Sequence, residues 1–284
     1  MEKLRNISND PHLFMYEVKK RKKDFIFWGV AILLVLIIFI FICTKEIYVL
    51  QTLSNIIKTL SFMIVLLKVY NYQNCSGLSF NSLICFFISL LCHNFVFTFF
   101  SVRLRTFKVD IINSTFNYIS EYISFFIVII LLYSIIFKYY ETSDIMLDNK
   151  LPFYYLCIPA FLFSILFKPY VFRNWFVDLI WIYSIILETI SIYPQIHLFA
   201  RKKGHIESFT SHYLALQGIS TIFGLIYWFK SYFIFNDRKS LLLGEYSGYL
   251  IMVSEIAKII ILINYFYFYF KSIINTRNHK KYDL

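Results

Sequence analysis

The residues best placed to do chemistry here are ionisable groups inside apolar runs. Glu188 interrupts "ILETISIYPQIHLFARKK" (186–203). A carboxylate at that depth is costly and faces a cavity or a partner. It reads either as a binding or proton site or as a buried hydrogen-bond acceptor. Lys58, Glu255 and Lys258 also fall within apolar segments. The i, i+3 spacing of Glu255 and Lys258 puts them on one helix face, as an ion pair or a proton relay. His93 sits in the middle of "SLLCHNFVF" (89–97). A lone imidazole there is a satisfied core residue or, facing Glu188, a group that turns cationic only below its ordinary pKa of about 6.5.

No enzyme signature accompanies these groups. The chain shows no Ser-His-Asp constellation, phosphate loop or paired-carboxylate pattern. His197 and His205 flank a loop with no third ligand, so neither a metal nor a cofactor is expected. The cysteines (Cys43, Cys75, Cys85, Cys92, Cys157) have no CxxC spacing and read as small hydrophobes.

The elements that must position such residues are membrane helices. The chain is 59% hydrophobic and 16% charged, with a mean hydropathy of +0.63. A soluble domain needs a polar skin that this composition cannot supply. Runs long enough to cross a bilayer recur at 25–43, 47–67, 78–100, 111–137, 152–167, 175–200, 209–234 and 243–270. The fifth is the shortest and is broken by Pro159, while Pro194-Gln195 ends or kinks the sixth as a structural feature.

The net charge of +11 does not point to nucleic acid, because the cations flank apolar segments. They read instead as topology determinants under the positive-inside rule. "KKRKK" (19–23) precedes the first run, which makes that run a signal anchor with a cytosolic N-terminus. Alternation then puts both termini in the cytosol, with 17 of the 28 Lys and Arg cytosolic, 8 lumenal and 3 within helices. The basic flank also suits contact with anionic lipid.

A weak internal repeat relates "NCSGLSFNSLICF" (74–86) to "KGHIESFTSHYLA" (203–215). Each joins one helix to the next and carries hydroxyl residues placed to N-cap the helix that follows. Three helices in each repeat, with one helix between, account for this recurrence.

The stretch "YPQIHLFARKKGHIESFTSHYLALQG" (193–218) resembles the most characteristic segment of the KDEL receptors, the ER lumen protein-retaining receptors. The resemblance continues at "LLKVYNYQNCSGLSFNS" (66–82), at Trp181 seven residues before Glu188, and at "NYFYFYF" (264–270). It covers residues about 47 to 284. It implies an all-α polytopic fold, a seven-helix bundle of two parallel three-helix repeats plus a linker, like SWEET and PQ-loop transporters. The divisions are a basic tail at 1–24, an additional transmembrane helix at 25–43, the receptor-like domain at 47–270 and a tail at 271–284.

The same resemblance implies a lumen-facing cavity at the repeat interface that binds the C-terminal retrieval tetrapeptide of ER-lumenal proteins. Cargo would return from Golgi to ER by coat-dependent transport, with the receptor resident in ER and Golgi membranes. Trp181 and Glu188 match the family's cavity residues. Elsewhere this chain departs: the family's cavity Arg-Tyr pair stands here as His93-Asn94, and its first-helix Arg and His as Gln51 and Lys58. Its Tyr-Arg pair becomes Ser220-Thr221, followed by Gly224, Tyr227 and Ser231 in place of Tyr, Asn and Arg. The last-helix Asp tied to trafficking, with Glu255 and Lys258 nearby, becomes Asn264. Three cavity arginines are therefore absent, and Lys58 and Lys230 stand as partial compensation. Gly224 in place of Tyr implies a larger cavity. Arg201, Lys202, Lys203, Lys280 and Lys281 form the cytosolic basic surface for the coat. Two further readings stay open: a PQ-loop-type solute transporter using Glu188, and a trafficking paralogue that binds no tail.

Overall fold

The structure, a computed structural model, describes residues 48–100, 111–167, 174–202, 208–236 and 249–263. The expected first helix at 25–43 and both tails, 1–24 and 271–284, lie outside them. The described chain is helical and opens with α1 (Tyr48–Tyr72), α2 (Phe80–Phe100) and α3 (Ile111–Tyr133). The short α4 (Ile145–Asp148) and α5 (Tyr154–Leu166) follow. After them come α6 (Trp175–Ser191), α7 (Tyr193–Arg201), α8 (Ser208–Asn236) and α9 (249–263).

Polarity is inverted relative to a soluble bundle. Leu67, Phe126, Leu162, Phe163, Leu166, Ile222 and Phe229 are exposed, whereas Ser54, Asn55, Lys58, Thr59 and Ser61 of α1 are buried. Outside water, exposed apolar side chains cost nothing, and backbone groups must find their partners within the chain, which a helix provides. The chain is a polytopic all-α membrane protein. Four helical spans among the described residues are long and apolar enough to cross: Val49–Tyr72, Phe80–Phe100, Thr115–Lys138 and Trp175–Arg201.

Two expectations need correction. Pro159 does not break α5, which runs through it. At 13 residues, however, α5 is about 20 Å long and falls short of the roughly 30 Å hydrocarbon core. The Pro194 kink is real: α6 stops at Ser191, and α7 restarts with Pro194 in its first turn, where the missing N–H leaves no bond broken. In addition, α3 continues into a π turn, Ser134–Lys138, closed by Tyr139 N–H donating to Ser134 O at 2.8 Å.

The strongest helix pairings are α1 with α8 and α2 with α6. The first helix of each half thus packs on the second helix of the other half, the exchange that two related three-helix units would make. Hydroxyls join these pairs. Ser82 Oγ donates to Ser191 O at 2.6 Å and Ser89 Oγ to Ser184 O at 2.7 Å. Ser54 Oγ donates to Ser220 O at 2.7 Å, and Ser220 Oγ returns a bond to Ser54 O at 2.9 Å. Such bonds contribute about 0.6–2 kcal/mol each in a membrane. Apolar packing fills the rest, with Phe62 edge-on to Phe86 at 5.2 Å and Phe87 stacked on Phe125 at 5.5 Å.

The loop between α1 and α2 is fastened from three directions. Gly77, at φ 80°, adopts the left-handed backbone that favours glycine. Its N–H donates to Asp144 Oδ2 at 2.6 Å, while its carbonyl accepts from Gln195 Nε2 at 2.7 Å. Gln195 Oε1 also accepts from Ser79 N–H at 2.9 Å. Ser79 caps α2 by accepting from Ser82 N–H at 3.0 Å, as the sequence implied. Asp148 is buried and takes Ser79 Oγ at 2.7 Å, Asn81 N–H at 2.8 Å and Asn81 Nδ2 at 2.9 Å. Burial nevertheless pushes its carboxyl above the usual aspartate range.

Candidate functional site

Charged side chains from α1, α2, α3, α6 and α9 converge inside the bundle. Lys58, on the polar face of α1, directs Nζ to Glu188 Oε1 at 3.3 Å and Oε2 at 3.4 Å. Lys258, from α9, reaches Glu188 Oε1 at 2.8 Å. Both ammoniums are buried, at 7% and 4% side-chain exposure, and the carboxylate is 21% exposed. Two ammoniums meet on one acid in a low-dielectric setting, where such charged bonds are strongest.

A second pair stands close by. His93 Nε2 lies 3.3 Å from Glu121 Oε2, and Glu121 Oε1 accepts from Asn55 Nδ2 at 3.2 Å. The other imidazole nitrogen, Nδ1, is 3.4 Å from Ser184 Oγ, whose proton goes to Trp181 O at 2.7 Å. Phe97 packs on the ring, with centroids 4.5 Å apart.

Glu255, one turn from Lys258, faces α8. A Cβ built on Gly224 would stand 3.6 Å from each Glu255 carboxylate oxygen and 3.3 Å from Ser54 Oγ. Glu255 Oε2 is sealed from solvent and accepts no hydrogen bond.

Several expectations change on this geometry. His93 faces Glu121 and not Glu188, because α3 presents its own acid to α2. Lys258 crosses to Glu188 and does not pair with Glu255. The space freed at Gly224 is taken up by the Glu255 carboxylate and the Ser54 hydroxyl, so the cavity is not enlarged there. Lys230 does not replace an inward arginine: it is exposed, in an apolar groove between α8 and α9 lined by Leu225, Ile226, Phe229, Met252 and Ile256.

The other expected residues are dispersed. Trp181 is buried against Val96, Val177 and Ile251. Asn94 is buried, with Nδ2 unbonded. Ser220 is committed to Ser54, and Thr221 Oγ1 donates back to Gln217 O at 2.8 Å. Tyr227 is buried, its ring 5.1 Å from Trp228, and Gln51 is half-buried on α1. On the basic surface, Arg201 is exposed and donates to His197 Nε2 at 3.2 Å. Lys202 is engaged, paired with Asp144 and donating to Ser76 Oγ at 3.0 Å. The side chain of Ser231, and residues Lys203, Asn264, Lys280 and Lys281, lie outside the described residues.

Glu121, Asn55, Asp144 and Asp148 were missed from sequence. Glu121 carries the same signal as Glu188, an acid within an apolar helix. Cys75 and Cys85 are buried and free, as the small-hydrophobe reading has it, and burial pushes the Cys75 thiol up to about 11. Among the described residues, no three His, Cys, Asp or Glu side chains are grouped to hold a metal.

Comparison with known proteins places this architecture. The family described as ER lumen protein retaining receptor matches residues 74–231. The ER lumen protein-retaining receptor of Dictyostelium discoideum is 29% identical over 228 residues, covering 78% of this chain and 92% of that protein. ER lumen protein-retaining receptor 3 of Mus musculus is 28% identical over 234 residues, with 78% and 92% covered. The ER lumen protein-retaining receptor of Plasmodium falciparum is 27% identical over 222 residues, with 77% and 90% covered.

Proposed function

The chain belongs to the ER lumen protein retaining receptor family, and from that premise we propose that it is a retrieval receptor. It binds KDEL-type C-terminal signals of ER-lumenal proteins in the Golgi and returns that cargo to the ER by coat-dependent transport. The observation that carries this reading is the charged cluster around Glu188, assembled by helices of both halves at the interface where paired repeats place ligands. A tail of acidic residues with its own amine offers complementary charge to such a cluster. No catalytic role is assigned to any residue.

In the same reading the receptor-like domain spans 47–270, both termini are cytosolic, and the loop fastened by Gln195 and Asp144 closes the cytosolic end. The coat contacts the basic surface from Arg201 to Lys203 and the tail with Lys280 and Lys281. Lipid surrounds the apolar faces. Asn264, in the apolar sequence run that also carries Glu255 and Lys258, belongs to the segment that reports ligand binding to the cytosol.

The test is binding of a panel of C-terminal tetrapeptides to purified protein at about pH 5.5 and about pH 7.4, on either side of the imidazole range. Tighter acid binding of one tail, weakened by Glu188→Gln, is expected. Absence of binding by every tail at both values would overturn the reading.

A further inference from the structure

We propose that Cys85 and Cys157 form a redox-active dithiol, a modification site at which a small disulfide closes an S–S bond between α2 and α5. The pair shares no residue with the charged cluster and does not depend on what that cluster binds.

One hydrogen bond sets the two helices in register. Phe153 N–H, at the helical N-cap of α5, donates to Asn81 Oδ1 in the first turn of α2 at 3.0 Å. Each cysteine follows its anchor by four residues, Cys85 after Asn81 and Cys157 after Phe153. Residues at i and i+4 share a helix face and stand about 6 Å apart along the axis. The two thiols therefore meet one turn inside that bond, near the end of the bundle that carries the α1–α2 loop. Their side chains are in hydrogen-bond contact. Phe153, Ala160 and Leu187 pack around them. Cys85 is fully buried, whereas Cys157 is half-buried on a helix whose outer face, with Tyr155, Ile158 and Leu162, is exposed.

That difference in exposure assigns the order of steps. The external disulfide meets Cys157 first. Cys157 Sγ gives up its proton and attacks one sulfur of the reagent, which forms a mixed disulfide and expels one thiolate. Cys85 Sγ then loses its proton and attacks Cys157 Sγ, forming the protein bond and expelling the second thiolate. The two protons pass to the two leaving thiolates, so one external disulfide is reduced to two thiols as the dithiol is oxidised. The Tyr183 hydroxyl hydrogen-bonds Cys157 Sγ and can donate to the sulfur while it carries charge. Closure ties α5, which packs on α6, to α2 as well.

The test treats the full-length protein in detergent with dithiodipyridine, a small uncharged disulfide, and maps the cysteines by mass spectrometry after acid quenching and digestion. The expected result is loss of both thiols, with the Cys85 and Cys157 peptides joined and neither carrying thiopyridine. Dithiothreitol should restore both thiols. Cys85→Ala is expected to leave thiopyridine trapped on Cys157, because the resolving sulfur is gone. Cys157→Ala is expected to leave the buried Cys85 unmodified over the same interval. Thiopyridine retained on Cys157 of the unaltered protein would overturn the proposal. So would a bond from either cysteine to Cys92, two turns further along α2, or a Cys85–Cys157 bond that forms only in denaturant. The mapping on the unaltered protein decides the matter even if a variant fails to fold.

Discussion

Lys258 Nζ lies 2.8 Å from Glu188 Oε1, and Lys58 Nζ approaches the same oxygen at 3.3 Å. One acid therefore holds two helices, α1 and α9, to α6. Removing its charge strands two buried ammoniums, and breaking a buried pair costs about 3–5 kcal/mol. Glu188→Gln is expected to lower the thermal midpoint of the purified protein markedly. Adding Lys58→Met to Glu188→Gln should cost less than the sum of the single changes. Strict additivity would show that the pair is not coupled.

A second pair joins α2 to α3. His93 Nε2 lies 3.3 Å from Glu121 Oε2, a contact that is an ion pair only when the imidazole carries a proton. His93→Phe keeps the ring packing on Phe97 and removes that contact. Any difference in tetrapeptide affinity between mildly acid and neutral pH should shrink in this variant. An undiminished difference would place the titrating group elsewhere.

Gly224 tests the packing between α8 and α9. Alanine gains up to about 1 kcal/mol of helix propensity, but its methyl would stand 3.3 Å from a Ser54 hydroxyl held by Ser220. The two effects should cancel within about 1 kcal/mol. Gly224→Tyr, by contrast, must expel the Glu255 carboxylate and should not yield a folded protein. Thermal-shift and gel-filtration profiles read both.

Asp148 offers a pH-dependent stability. Its carboxyl is raised in the folded state by burial, so the fold binds that proton more tightly than the unfolded chain does. The contribution is most favourable below the ordinary aspartate value of about 4 and is lost as pH rises through the raised value. Asp148→Asn should remove this slope. It should also cost about 1–3 kcal/mol, since an amide cannot accept from Ser79 and Asn81 on both of its ends. Melting midpoints between about pH 4 and about pH 7 distinguish the two proteins.

Asp144 joins the α1–α2 loop to α7 through Gly77 N–H and Lys202. Cys75, in that loop, is fully buried. Asp144→Ala should loosen the loop and raise the rate at which a maleimide labels Cys75. An unchanged rate would mean that the loop's other bonds, from Gln195, Thr142 and Lys202, hold it without Asp144.

What the sequence disclosed follows from cost. Lys58, Glu188 and Lys258 could be picked out because a charge in an apolar run is expensive wherever it points. Helix runs were legible for the same reason, since length and apolarity are local properties. The pairing of those charges was not local. Glu255 and Lys258 are neighbours on one helix, yet Lys258 goes to Glu188, 70 residues away, because the packing of α9 on α6 brings that acid within 2.8 Å. Glu121 carried the signal but sat behind the hydroxyl-rich "NSTFNYIS", which reads like a helix mouth. The fastening by Asp144 and Asp148 was hidden because acids in a polar loop look solvated until the fold buries them.

The span between Lys58 and Glu188 also sets a schedule for assembly. The acid follows the lysine by 130 residues, and at about 5–20 residues per second the ribosome delivers it roughly 7–26 s later. Lys258 comes later still. During that interval α1 must enter the membrane with a charge that has no mate. The nascent chain therefore needs an insertion partner that shelters a lone ammonium, and loss of such a helper should strand the protein at its first helices.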